Sequence, residues 1–488
     1  MTVKTGAVSA TLKWNAIDWQ TVNNQVRRLQ MRIAKAVREK KYGKAKALQW
    51  ILTRSFYAKL SAIKRISQNK GSKTPGIDGV IWNTANKKMD AVKQLKRRGY
   101  KPQALRRIYI PKKNGKLRPL SIPCMIDKAQ QALHLLGLEP ISESIVDANS
   151  YGFRPKRSCA DAIGQCFLTL CRRNSAEWVL EGDIKSCYDK IGHEWLLKNV
   201  PMDKQMLKKW LTAGYIDKGV FYHTEEGLAQ GGVISPTLML ITLAGLEKMV
   251  LSTAPIKYSR INVVAYADDF VITGATKEIL EDKVKPAVQK FLTERGLQLS
   301  EEKTNTTNIQ EGLDFLGFNI RKYKQKLLIK PSKQNVLGYL KKIREVIKKN
   351  GNATPGELIG ILNPKLRGWG NYYRHCVAKR TFNYIDNNIF YAIFRWCLRK
   401  HPNKSKTWIV KKYFSREGNN NWKFTGTKIT AKGQTKRLVL ESMSLIPIRR
   451  HKKIIGKATP YDPTYAEYFK KRKTKKSRNT WIVMPITA

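Results

Sequence analysis

The chain has 488 residues, with 93 Lys and Arg against 36 Asp and Glu, a formal net charge of +57 and 42% hydrophobic residues. At about 150 residues per domain the length suggests roughly three units, and this much apolar material excludes wholesale disorder. A charge of this size drives a compact fold apart unless a polyanion neutralises it, so nucleic acid is the expected partner and an anionic membrane the rival.

In chain order, residues 20–65 read as basic amphipathic helices. Val26, Leu29, Ile33 and Val37 recur at helical spacing, while Arg27, Arg28, Arg32, Lys35, Arg38 and Lys40 fill much of the remaining surface. Such a face is either solvated or turned to RNA, and the global charge favours RNA. Thr74-Pro75-Gly76-Ile77-Asp78-Gly79 punctuates the next boundary. Residues 106–123 then read as a hairpin, two apolar runs around Lys112-Lys113-Asn114-Gly115-Lys116.

From Trp178 to Val271 short apolar strands alternate with helices. Trp178-Val179-Leu180 runs toward Asp183, and residues 261–265 lead into Tyr266-Ala267-Asp268-Asp269. A further amphipathic helix follows over Val336 to Ile347. Residues 331–488 hold 36 Lys and Arg against 7 Asp and Glu. They also carry Trp369, Tyr372, Tyr373, Phe394, Trp396, Trp408, Tyr413, Phe414 and Trp422. About half of these rings are expected in the core and the rest on base-stacking surfaces. The run 470–478 reads as a mobile basic tail.

Other classes fall away. No stretch of about 18 apolar residues occurs, so no bilayer-spanning helix is expected. The start lacks the apolar region of a secretory signal. The seven cysteines form no Cys-x-x-Cys pair and no histidine lies near such a pair, which disfavours a disulfide framework and a Cys/His metal site and fits a reducing cytosol.

Catalysis on a polyanion without such ligands falls to carboxylates and Mg²⁺, which prefers oxygen donors. Two ions about 4 Å apart can stabilise the attacking and leaving oxygens of a phosphoryl transfer. Asp268-Asp269 sits between two apolar strands, and Asp183 ends another. Taken singly, these are equally an exposed turn and a helix N-cap.

Their order and company say more. Asp183-Ile184-Lys185-Ser186-Cys187-Tyr188-Asp189, then Gln230-Gly231-Gly232-Val233-Ile234-Ser235-Pro236, then Tyr266-Ala267-Asp268-Asp269 resemble the palm of reverse transcriptases. The resemblance implies that Asp183, Asp268 and Asp269 are catalytic and hold two Mg²⁺ ions, with the Ile184 carbonyl a further ligand. It implies that Tyr188 excludes a ribose 2′-OH, that Gln230 lies against the nascent pair, and that Lys112 and Arg118 clamp the triphosphate of a dNTP. Lys303 takes the place of a proton donor to pyrophosphate.

The pre-finger motif 74–79, Ser150-Tyr151-Gly152-Phe153-Arg154-Pro155, Asp314-Phe315-Leu316-Gly317-Phe318 and Arg367-Gly368-Trp369-Gly370-Asn371-Tyr372-Tyr373 narrow this to the reverse transcriptase/maturases of group II introns, over about residues 20–470. The implied fold is an α/β (α+β) right-hand polymerase. Its parts are a basic helical extension at 1–70, fingers and palm at 71–330, a helical thumb or maturase domain at 331–415, and a small basic DNA-binding domain at 416–488.

Implied partners are the intron RNA, an RNA template with a DNA primer, dNTPs and a double-stranded DNA target, with Arg27, Arg28, Arg32, Lys35 and Arg154 as RNA contacts. Implied roles are RNA-directed DNA synthesis, assistance to splicing, and support of reverse splicing and retrohoming. The implied location is a cytoplasmic, nucleoid-associated ribonucleoprotein. No Cys follows Cys397, so the form without the Cys-paired endonuclease is expected, and the primer comes from elsewhere. Two alternatives are a polymerase-inactive splicing factor and a reverse transcriptase recruited to host defence.

Overall fold

The structure is a computed structural model describing residues 13–111, 115, 117–418, 420–429 and 433–477. These residues form two compact units: 13–162, 178–306 and 454–472 in one, and 163–177, 307–453 and 473–477 in the other. Length alone suggests about three. The number is lower because the N-terminal helices share their core with a helix far along the chain.

In the first unit, α1 (Trp19–Arg38) starts at Asp18, whose carboxylate accepts from the backbone N–H of Gln20 and Thr21. Val22, Val26, Ile33 and Val37 of α1, with α2 (Tyr42–Arg54) and α3 (Phe56–Gln68), pack on α5 (Met125–Ile145); α4 is Ala85–Gln94.

Nearly all of α5 is buried, and its polar side chains are satisfied individually. Asp127 accepts from Tyr100 Oη at 2.7 Å, Lys128 Nζ donates to Thr74 O at 2.7 Å, and Gln131 accepts from Val233 N at 2.8 Å. A side chain at Gly76 would collide with Cys124. The 74–79 motif is thus a loop clamped onto the start of α5.

β1 (Leu105–Pro111) and β2 (Leu117–Ile122) form the expected antiparallel hairpin, in register from Arg106↔Ile122 to Pro111↔Leu117. β1 also runs parallel to β4 (Tyr215–Asp217), which pairs with β5 (Val220–Tyr222). The central sheet joins β6 (Asn262–Tyr266), β7 (Asp269–Gly274) and β3 (Trp178–Asp183), all antiparallel. An apolar core that includes Leu180, Leu238, Phe270, Ile272, Val288 and Leu292 supports it.

In the second unit the amphipathic helix predicted over 336–347 spans Lys333–Lys349, burying Val336, Leu340, Ile343 and Ile347. Pro355–Tyr373 and Lys379–Lys400 accompany it. Tyr372 Oη donates to Leu316 O at 3.1 Å and Tyr373 Oη to Gly317 O at 3.0 Å. Two motifs far apart in sequence are therefore two halves of one packing contact.

Five of the nine aromatic rings considered above are buried and three are half-buried; Trp422, 51% exposed, is open to solvent. Residues 470–477 of the run expected to be mobile belong to the helix Ala466–Ser477, with a Glu467–Lys471 ion pair one turn apart, and Arg478 lies outside the described residues. Among the described residues no helix is long and apolar enough to cross a membrane.

Candidate active site

Three carboxylates meet at one end of the central sheet because of strand register. Asp183, last in β3, lies directly opposite Asp269, first in β7. Tyr266 pairs with Asp269 across the β6–β7 hairpin, leaving Ala267 and Asp268 as its two-residue turn. Ala267 takes a left-handed φ of +60°, at a position where glycine is usual. Asp183 is fixed from behind, its carbonyl accepting from Ser300 N at 2.8 Å. A side chain at Gly182 would strike the ring of Phe270, its register partner, so glycine here lets the ring lie across β3.

Charge is concentrated and poorly compensated. Burial, then the charges of Asp268 and Asp183, push the Asp269 carboxyl up to about 7. Asp268 is raised by burial and by Asp183, with Arg118 and Lys303 pulling the other way. Lys303, on the turn Glu301–Lys303, donates from Nζ to Asp183 Oδ2 at 2.8 Å while its side chain stays 64% exposed. Repelling carboxylates on hard oxygen donors are the chemistry that a divalent cation relieves. Oxygen donors suit Mg²⁺ by type, although among the described residues no group of three or more His, Cys, Asp or Glu side chains is placed to hold a metal ion.

The other candidates surround this turn. The Tyr188 hydroxyl is held far above its ordinary value, by burial first and next by the charge of Asp268. Gln230 Nε2 donates to Asp189 Oδ1 at 3.3 Å, and its backbone carbonyl accepts from Ser121 N at 2.7 Å. Gly231, at φ +120°, lies so close to Ser121 O that a side chain would press on it at 2.9 Å. The Gln-Gly-Gly loop is thereby docked on the end of β2, the strand that carries exposed Arg118. Ile184 is buried and bridges to Leu299. Lys112 lies outside the described residues.

The segment 149–158 backs the turn. Ala265 N donates to Asn149 O at 3.0 Å and Tyr151 N to Ala265 O at 2.9 Å. Gly152 abuts Ala267 so closely that a side chain would collide with its backbone nitrogen.

Arg154 corrects an expectation. It and Glu143 are each 2% exposed, joined at 2.6 and 3.1 Å, and its remaining N–H groups reach Asp147 O and Ser150 O. A guanidinium spent in this way is not available to RNA. Arg27, Arg28, Arg32 and Lys35 lie on α1, and all four are exposed. Gly152, Gly182 and Gly231 shape the site and are not among the expected residues; the signal is the position of Gly152 and Gly231 inside the quoted motifs and of Gly182 directly before Asp183.

Residues 110–320 match the reverse transcriptase (RNA-dependent DNA polymerase) family, residues 14–95 the N-terminal domain of reverse transcriptase, and residues 338–414 the group II intron maturase-specific domain. The chain belongs to the group II intron reverse transcriptase/maturases.

It is 34% identical to protein YkfC of Escherichia coli over 301 residues, 52% of this chain and 77% of that protein. It is 29% identical to the group II intron-encoded protein LtrA of Lactococcus lactis over 461 residues, 74% of this chain and 75% of that one. Maturase-like protein 1 of Euglena longa is 22% identical over 375 residues, 74% and 78% of the respective chains. The reverse transcriptase match spans all three carboxylates and the β1–β2 hairpin from Ile110, and the maturase match spans the three long helices of the second unit almost whole.

Proposed function

We propose that this reverse transcriptase/maturase extends a DNA primer on an RNA template by a two-metal phosphoryl transfer centred on Asp183, Asp268 and Asp269. The observation that carries the reading is the Asp183↔Asp269 register, with Asp268 in the adjoining turn, which brings carboxylates from separate strands to one sheet end.

These three residues and the Ile184 carbonyl would hold Mg²⁺, which when bound would supply stabilisation for the charge on the transferring phosphoryl group. Arg118 and Lys112 bind the triphosphate; a guanidinium and an ammonium both suit phosphate oxygens. The Tyr188 ring excludes a ribose 2′-OH, and Gln230 orients the incoming nucleotide against the template base. Lys303 holds its proton on Asp183 and, with an exposed stem, can swing to deliver it to pyrophosphate. Positioning and fixed charge, rather than covalent chemistry by the protein, provide the rate.

The same protein holds its intron RNA in the splicing-active fold, with Arg27, Arg28, Arg32 and Lys35 contacting phosphates. It then supports reverse splicing into double-stranded DNA gripped through the basic segment 416–488, as a nucleoid-associated particle. The functional division is 1–70 extension, 71–330 fingers and palm, 331–415 thumb, 416–488 DNA binding.

The test is primer extension on an RNA template with dNTPs and Mg²⁺, wild type beside Asp268→Ala. Extension by wild type alone is expected, with RNA binding retained by both. Extension by neither, with tight RNA binding, would replace this reading with a splicing factor that lacks polymerase activity.

A further inference from the structure

We infer that residues 454–472 are a strap whose contacts position the catalytic turn, so that this part of the basic C-terminal segment serves the polymerase as a positioning element. The inference rests on reading the turn 266–269 as the polymerase centre.

The strap belongs to the first unit, although residues 307–453 before it belong to the second. Its anchor is Asp161, 0% exposed. One carboxylate oxygen accepts from Ile454 N at 2.7 Å and Arg472 at 2.8 Å; the other accepts from Ser158 N at 2.9 Å and Ser158 Oγ at 2.8 Å. A second anchor is Arg157, which donates to Gly456 O at 2.5 Å and to Ala148 O at 2.9 Å. Gly456 runs so close to Ala148 that a side chain would press on its Cβ at 3.3 Å.

Further along, Tyr461 is buried with its hydroxyl on Glu139 of α5, and Asp462 pairs with Arg38 of α1 at 3.1 Å. The strap therefore grips both ends of the segment 148–161 and ties it to the helical layer. That segment is the one whose Asn149 and Tyr151 hydrogen-bond Ala265 and whose Gly152 is wedged against Ala267. Ala267 is in a left-handed conformation that costs energy outside glycine and persists only where its surroundings impose it. From the strap to Asp268 the path runs through short hydrogen bonds and close backbone approach at every step. Loosening the strap lets the 149–152 support relax, and the carboxylate of Asp268 loses its placement before the sheet itself is disturbed.

The experiment compares wild type, Arg472→Ala and Arg472→Lys in the full chain, by steady-state primer extension normalised to active sites titrated in a single-turnover burst. Arg472→Ala should lower kcat per active site about tenfold with the dNTP KM within about twofold, and Arg472→Lys should restore most of it. If Arg472→Ala fails to fold, Tyr461→Phe, which removes only the hydroxyl held by Glu139, should lower kcat per site in the same sense by about threefold. An unchanged kcat per site with only a lower melting temperature would overturn the strap's positioning role and leave it a staple of the fold. Absence of extension by wild type itself would overturn the polymerase reading and, with it, the catalytic purpose assigned to the strap.

Discussion

Two groups of carboxylates in the first unit are treated in opposite ways. Asp161 has no exposure and at least four donors, including two backbone N–H groups, a hydroxyl and a guanidinium. Glu143 is similar, locked in a two-point pair with Arg154. At the sheet end Asp183, Asp268 and Asp269 crowd one another, with one exposed ammonium on Asp183, and Asp269 is driven up to about 7. A saturated carboxylate stabilises the fold and has no capacity left. A starved cluster costs stability and keeps that capacity for something the protein does not itself supply. Under the proposed function, the difference separates structural acids from chemical ones without reference to any motif.

That contrast can be broken by mutation. Asp268→Ala should cost the most activity, at least about 1000-fold in kcat or roughly 4 kcal/mol of transition-state stabilisation, while the melting temperature holds or rises because repulsion is relieved. A fall in melting temperature comparable to that of a core substitution would erase the distinction.

Glu143→Ala is the mirror case. Stranding the buried Arg154 should cost about 3–5 kcal/mol of folding stability, read by urea unfolding; a loss below about 1 kcal/mol would mean that the pair is dispensable. Gly182→Ala tests both sides at once. The added methyl meets Phe270, so about 1–3 kcal/mol of overpacking is expected, with reduced extension.

The smallest effect belongs to the surface. Replacing Arg27, Arg28 and Arg32 together by Ala should flatten the dependence of log RNA affinity on log salt, by somewhat less than one slope unit for each phosphate no longer neutralised. Extension of a short unstructured template should stay unchanged. Impaired extension on that template would move α1 from RNA binding to the polymerase itself.

The expectations that hold rest on order and spacing. The hairpin 105–122 and the strands ending at Asp183 and flanking Asp268 are short apolar runs bounded by turn residues, and their register follows from local chemistry. Arg154 is misread because a cation inside a motif looks the same in sequence whether it faces RNA or a buried Glu143. The rings of the last third are only partly separable. Trp369 and Tyr373 are core, whereas Trp422 is exposed, and nothing in a basic, aromatic-rich stretch says which ring turns inward. The strap is invisible for a different reason. Its partner Asp161 lies 311 residues before Arg472, so the pairing has no local signature. Composition alone makes it part of a nucleic-acid-binding tail.

That separation has a consequence in time. A ribosome adding about 5–20 residues per second needs roughly 15–60 s to travel from Asp161 to Arg472. From the completion of residue 306 onward the nascent first unit has its helices and sheet but lacks the segment that closes over Asp161 and Arg157. Burial of those two charged groups must wait for the final stretch of synthesis. The first unit is thus begun first and finished last, and a ribosome that stalls within residues 307–453 would release a chain whose segment 148–161 has never met the strap.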